Sequence, residues 1–232
     1  MLVTLTPEET TALLLSLKVA GTATLLSIPF GLFFAWLLAR RDFPGKALLD
    51  AAIHLPLILP PVVTGYLLLV LFGRRGLFGA WLADNLGIVF AFRWTGAALA
   101  CAVMGFPLMV RAMRLSLEAV DQKLEQAAGT LGANAAVVFL TVTLPLMLPG
   151  LLAGVVLSFA RALGEFGATV TFVSNIPGET QTLPTALYTF TQVPGGDGPA
   201  MRLTLISIAL AVAALIVSEI LSRRATRLVS GQ

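Results

Sequence analysis

Residues 118–149 read EAVDQKLEQAAGTLGANAAVVFLTVTLPLMLP, a polar segment running into a long apolar one. Asp121 is placed to cap a short helix. Leu124, Ala127, Ala128 and Leu131 follow at i, i+3, i+4 and i+7, which makes one apolar stripe. Gln122, Gln126 and Thr130 fall away from it. Gly132 stands where a helix ends in the left-handed conformation, and Asn134 can cap the next helix. The expectation is a short helix, a tight break, and then a helix that enters a membrane. An amphipathic helix resting at lipid headgroups has the same periodicity. The stripe's small alanines equally suit a surface that another protein approaches closely.

Outward from this stretch, segments free of Asp, Glu, Lys and Arg run Val19–Ala39, Ala51–Gly73, Trp94–Val110, Gln126–Ala160 and Leu203–Ser218. A helix needs about 20 residues to cross the hydrocarbon layer. The first two segments reach that length, and the third and fifth reach it with snorkelling ends such as Arg93, Arg111 and Arg223. The fourth is longer than one crossing requires. The chain therefore reads as an all-α membrane protein with about five spans, six being the alternative. Its composition agrees: 57% of the 232 residues are hydrophobic and 12% charged, too few charges for a water-facing surface.

An odd number of spans puts the termini on opposite sides, and the cations say which. Arg40, Arg41, Lys46, Arg111, Arg114, Lys123, Arg223, Arg224 and Arg227 lie at one face; Arg74, Arg75, Arg93 and Arg202 lie at the other. That bias places the N-terminus outside and the C-terminus, with the loop of about 118–135, in the cytoplasm. Met1–Thr11 holds Glu8 and Glu9 and no Lys or Arg, so no cleaved leader is expected. Pro29, Pro56, Pro60, Pro61, Pro107, Pro145 and Pro149 interrupt the apolar segments, which favours a pore-lining or moving assembly over a passive anchor.

Few residues offer site chemistry. Arg161 and Glu165 are four apart, on one face if the fourth helix continues, with Gly164 and Gly167 beside Glu165. Ionisable groups within a membrane are candidates for a pathway or gate, and a mutual ion pair is the plainer alternative. Lys18 and Ser16 read as snorkelling to the outer interface, His54 as structural, and Cys101 as a small hydrophobe. Pro177–Pro199 reads as an external loop with a short re-entrant stretch around Leu183–Phe190, and as a face for an external binding protein. One cysteine allows neither an intrachain disulfide nor a cysteine metal cluster. The chain shows no basic run interleaved with aromatics for nucleic acid, no nucleophile–base constellation for an intramembrane enzyme, and no filter-like polar stripes for a channel.

The loop carries a more specific pattern. Gln126-Ala127-Ala128, three residues, Gly132, nine residues, Val142, one residue, Leu144-Pro145 resembles the EAA loop of bacterial ABC importer permeases, written Glu-Ala-Ala, x3, Gly, x9, Ile, x, Leu-Pro. Gln126 replaces the usual Glu, with Glu125 one place earlier, and Val142 replaces Ile; the Gln puts a charge contact at that position in question. Asp42–Asp50, His54-Leu55-Pro56, Pro60–Val63, Gly73–Gly76, Leu163–Ala168 and Ser174–Thr180 look like the permease subunit of molybdate ABC transporters. Gly-Glu-Phe-Gly at 164–167 is shared with sulfate permeases, so sulfate or thiosulfate is the near alternative, and tungstate is not separated from molybdate.

The resemblance implies a type I ABC importer permease fold as one domain over residues 1–232. It also implies a bacterial inner-membrane location, a second copy of the chain, two ATPase subunits and an external oxyanion-binding protein. Leu124, Glu125, Gln126, Ala127, Ala128, Leu131, Gly132, Leu144 and Pro145 would form the ATPase-coupling loop. ATP and Mg would sit on the ATPase and no cofactor on this chain, which has no Gly-x4-Gly-Lys-Ser/Thr phosphate loop. The charge bias generates a first test: a reporter fused after Arg227 should be cytoplasmic, and one inserted near Gly195 external. Both on one side would refute the five-span topology.

Overall fold

The computed structural model describes residues 5–230; the side chains of 221–223 and 225–230 are outside the described set. Met1–Thr4 and the side chains of Arg223 and Arg227, counted above, therefore lie outside the described residues. The first helix, α1, spans Pro7–Arg40. It opens on a capping box: Glu9 N–H donates to Thr6 Oγ1 at 3.3 Å and Thr6 N–H to Glu9 Oε2 at 2.7 Å. At 34 residues it is about 51 Å long, enough to cross the bilayer and project beyond it.

The second apolar stretch is broken more sharply than a simple kink. It forms α2, Lys46–Ile58, and α3, Pro61–Phe72, bent by 115°. Leu59 precedes Pro60 and so is held extended, while Pro60 and Pro61 supply no N–H to carry the helix across. With 13 and 12 residues, neither half alone spans about 30 Å of hydrocarbon. A short helix α4, Leu77–Leu86, leads to α5, Trp94–Ala119.

Beyond α5 come α6, Gln122–Thr130, and α7, Ala135–Val138. A π-helical turn at Phe139–Thr143 passes directly into α8, Leu144–Leu163. The chain from Ala135 to Leu163 runs as one 29-residue helical segment, long and apolar enough for a single crossing. Short helices α9, Gly167–Val173, and α10, Leu183–Thr191, precede the last helix, α11, Asp197–Ser230. Among the described residues four helices are long and apolar enough to cross a membrane, and a fifth crossing exists if α2 and α3 count as one.

α5 lies at the centre, against α1 and α8. Its C-terminal half packs Met109, Val110, Met113 and Leu117 against Ala35, Leu38 and Met147. Its N-terminal half packs Ala97, Cys101 and Met104 against Val19, Ala20, Ala23 and Phe172. Between helices in lipid the hydrophobic drive is weak, and close backbone approach supplies the attraction. A Cβ at Gly154 would stand 3.0 Å from the Met109 carbonyl oxygen, and one at Gly105 2.5 Å from Ser158 Oγ. The outward faces of α1 and α11 remain apolar and exposed, with Leu25, Phe30, Ile208, Val212 and Leu215 upon them. Gly154→Leu should force α8 off α5 and lower stability by about 1–3 kcal/mol, whereas Val212→Ile on the outer face of α11 should change little. Thermal unfolding of the detergent-purified chain compares the two.

Candidate functional site

The loop of about 118–135 is built as its caps dictate. Asp121 Oδ1 accepts from Lys123 N–H at 2.9 Å and starts α6. Gly132, at φ +89°, turns the chain, and Asn134 Oδ1 accepts from Val137 N–H at 2.9 Å to start α7. No residue of α6 is buried. Its stripe faces away from the bundle: Leu124 is 49% and Leu131 89% exposed, with Ala127 exposed and Ala128 half-buried between them. The opposite face, with Gln122, Glu125 and Gln126, borders a groove of about 390 Å³ shared with Trp36, Arg40 and Phe139.

The neighbour of Gln126, Glu125, makes a charge contact within the chain. Glu125 Oε1 lies 3.1 Å from Arg40 Nη2 and accepts from Thr143 Oγ1 at 2.7 Å. Arg40 Nη2 also donates to the Val120 carbonyl at 3.3 Å. Sequence reading missed Arg40 and Thr143 as partners, because Arg40 stood there only as a topological cation and lies 85 residues from Glu125. Leu144 and Pro145 follow directly on the π turn. Pro145 cannot donate to the Thr141 carbonyl and its ring crowds it, consistent with a turn that widens just before it.

The second candidate group is arranged differently from the expectation. α8 ends at Leu163, with Gly164 at its C-cap, so Arg161 and Glu165 do not share a continuous helix. They meet across the break, with Arg161 Nη1 at 2.7 Å from Glu165 Oε2. Glu165 N–H donates to the Ala162 carbonyl, and Glu165 Oε1 accepts from Ala168 N–H at 2.8 Å, which satisfies a free amide at the start of α9. The Glu165 side chain is 1% exposed and that of Arg161 27%. Gly167 lies close under α3, where an added Cβ would be 2.8 Å from Pro61 Cβ.

Other single residues also find partners. Ser16 is buried and accepts from Leu183 N–H at 2.6 Å, so it fixes α10 to α1 and does not snorkel. Lys18 Nζ sits 3.7 Å over the Trp94 ring. His54 Nδ1 is 2.9 Å from the Asp50 carbonyl, and Asp50 is paired with Arg114 at 3.2 Å. Cys101 is buried, with Sγ 3.5 Å from the Ala162 carbonyl. Glu9 is fully buried beside Arg202 at 2.8 Å, a pair that joins the start of α1 to α11. Among the described residues no three His, Cys, Asp or Glu side chains form a metal-binding group.

The family described as "Binding-protein-dependent transport system inner membrane component" matches residues 27–227. The chain belongs to this family. The molybdenum transport system permease protein of Escherichia coli is 66% identical, over 94% of this chain and 96% of that one. Its Haemophilus influenzae namesake is 59% identical over 93% and 94%. The sulfate transport system permease protein CysT of Escherichia coli is 39% identical over 92% and 76%.

Solved structures share the fold at low identity. A chain of a bacterial ABC transporter for import of alginate superposes with a TM-score of 0.71 at 15% identity, covering 96% of this chain and 80% of that one. A chain of an amino acid ABC transporter gives 0.66 at 20% identity, covering 94% of each. The chain is thus a multi-pass permease subunit with an ABC-importer permease fold. It is a translocator and not an enzyme.

The break at Glu165 generates a stability test. Glu165→Ala orphans both Arg161 and the Ala168 amide and should cost about 3 kcal/mol; Glu165→Gln keeps an acceptor for Ala168 and should cost less. Equal unfolding temperatures for the two variants would contradict the capping role.

Proposed function

We propose that this chain is the membrane-spanning subunit of an ATP-driven importer that carries molybdate into the bacterial cytoplasm. The single observation behind the substrate is the 66% identity, over 94% of the chain, to a molybdenum permease. The sulfate reading has weaker support, from a relative at 39%. The whole chain serves as one permease domain in the inner membrane, N-terminus outside, and the coupling loop covers about 118–135. One chain presents one α6, so two copies are needed to engage two ATPase subunits, with the pathway on their two-fold axis.

The exposed stripe of Leu124, Ala127, Ala128 and Leu131 is the surface offered to the ATPase. Gln126, Gly132, Leu144 and Pro145 shape its approach to span four. ATP and Mg bind on the ATPase; closing two ATPases pulls the paired α6 helices, and the spans rock between inward- and outward-facing states. The segment from Pro177 to Pro199 is the face for an external oxyanion-binding protein. Arg161 is the cation best placed to meet an anion near the outer half of α8, with Glu165 held neutralised beside it and Gly164 and Gly167 permitting the break.

Uptake into proteoliposomes containing the permease, its ATPase and its binding protein tests this reading. Molybdate should accumulate on ATP hydrolysis, and sulfate in tenfold excess should compete poorly. Ala127→Arg or Ala128→Arg should abolish uptake with the chain still folded in the membrane, while Gln126→Glu should be tolerated. Normal transport by the arginine variants with the ATPase attached would remove α6 as the docking surface, and sulfate uptake without molybdate uptake would reverse the substrate.

A further inference from the structure

α6 is poorly supported by packing. None of its residues is buried, and at Gly132, the hinge into α7, no atom lies within 4 Å of where a Cβ would stand. A groove of about 390 Å³ separates its polar face from Trp36 and Phe139, leaving room for it to tilt. A helix held only by a two-residue link from α5 and a glycine hinge would swivel under load, and a push upon it would be absorbed locally. One polar junction opposes this. Glu125 Oε1 takes both Arg40 Nη2 at 3.1 Å and Thr143 Oγ1 at 2.7 Å, and the same Nη2 donates to Val120 O at 3.3 Å. Arg40 is the last residue of α1, Val120 caps the C-terminus of α5, and Thr143 ends the π turn of span four. Thr143 is buried, and the Arg40 side chain is only 11% exposed.

We infer that the Arg40–Glu125–Thr143 junction is the strut that converts movement of α6 into movement of spans one and four, with Glu125 as a positioning residue for coupling. The inference rests on the proposed role of α6 as the ATPase-docking helix. Three features favour a strut over a simple surface ion pair. The carboxylate bridges two separate spans, its partners are shielded from water, and the hydroxyl it holds closes the one π-helical turn among the described residues. Movement of α6 therefore loads the π turn directly, where the helix departs from regular α hydrogen bonding.

The test uses the full complex in proteoliposomes, with anion uptake and ATP hydrolysis measured together. Glu125→Ala and Arg40→Gln should retain the ATPase and hydrolyse ATP, with uptake per ATP lowered about tenfold. The exchange Arg40→Glu with Glu125→Arg should recover most of that ratio. An unchanged ratio in both single variants would overturn the strut. So would loss of the ATPase that the exchange does not repair, since Glu125 would then face the partner. A second readout separates this from the docking role. Spin labels at Arg41 and Lys123 should give a narrow distance distribution in the native permease and a broad one in Glu125→Ala. A narrow distribution in both would overturn the strut whatever the Ala127→Arg result, and a broad one with normal transport by Ala127→Arg would sink only the docking reading.

Discussion

Hydrocarbon cannot hydrogen-bond to a peptide group, so every interruption of a helix within this bundle has to be closed by the protein itself. The chain breaks its helices often and closes each break differently. At 59–61 two consecutive prolines leave no N–H to satisfy, and the Val63 and Thr64 amides turn back to the Pro60 carbonyl. At 164–166 a buried carboxylate, Glu165, accepts the free Ala168 amide and carries its own counter-ion in Arg161. At 174–182 the Thr180 hydroxyl accepts from Ile176 N–H at 2.9 Å and donates to the Ser174 carbonyl at 3.2 Å. These closures let a short helix such as α9 sit inside the bundle against α3, where straight spans could not reach.

Ion pairs mark the ends of the same helices. Glu9 with Arg202 ties α1 to α11, Arg161 with Glu165 spans the break after α8, and Arg40 with Glu125 ties α1 to α6. Each is a charge-assisted contact that restrains one element against another. The rocking proposed for the spans needs stiff bodies with soft joints. The dense α1–α5–α8 centre, rich in methionine and alanine, serves as the body. In that proposal Gly132, at positive φ, and the π turn are the joints.

Much of this was legible in the linear sequence because it depends on neighbours in the chain. Composition and charge-free run lengths specify helices in lipid. Asp121, Gly132 and Asn134 declare α6 and its break through local capping, and the spacing from Gln126 to Pro145 names the family. That Leu124 and Leu131 share a face was legible too, since periodicity alone decides which residues share a side; their exposure came from the structure.

Tertiary structure alone decided what distant residues do to one another. Arg40 meets Glu125 across 85 positions and Glu9 meets Arg202 across 193, and no local rule pairs them. Ser16 was read as an interfacial residue and is instead a buried acceptor, because α10 folds back on α1 only in three dimensions. The second apolar run was long enough for a span yet bends by 115°, because Pro60 and Pro61 end one helix and α9 offers α3 a surface. Run length and capping are properties of the chain; the direction in which a broken helix resumes belongs to the neighbour that packs against it.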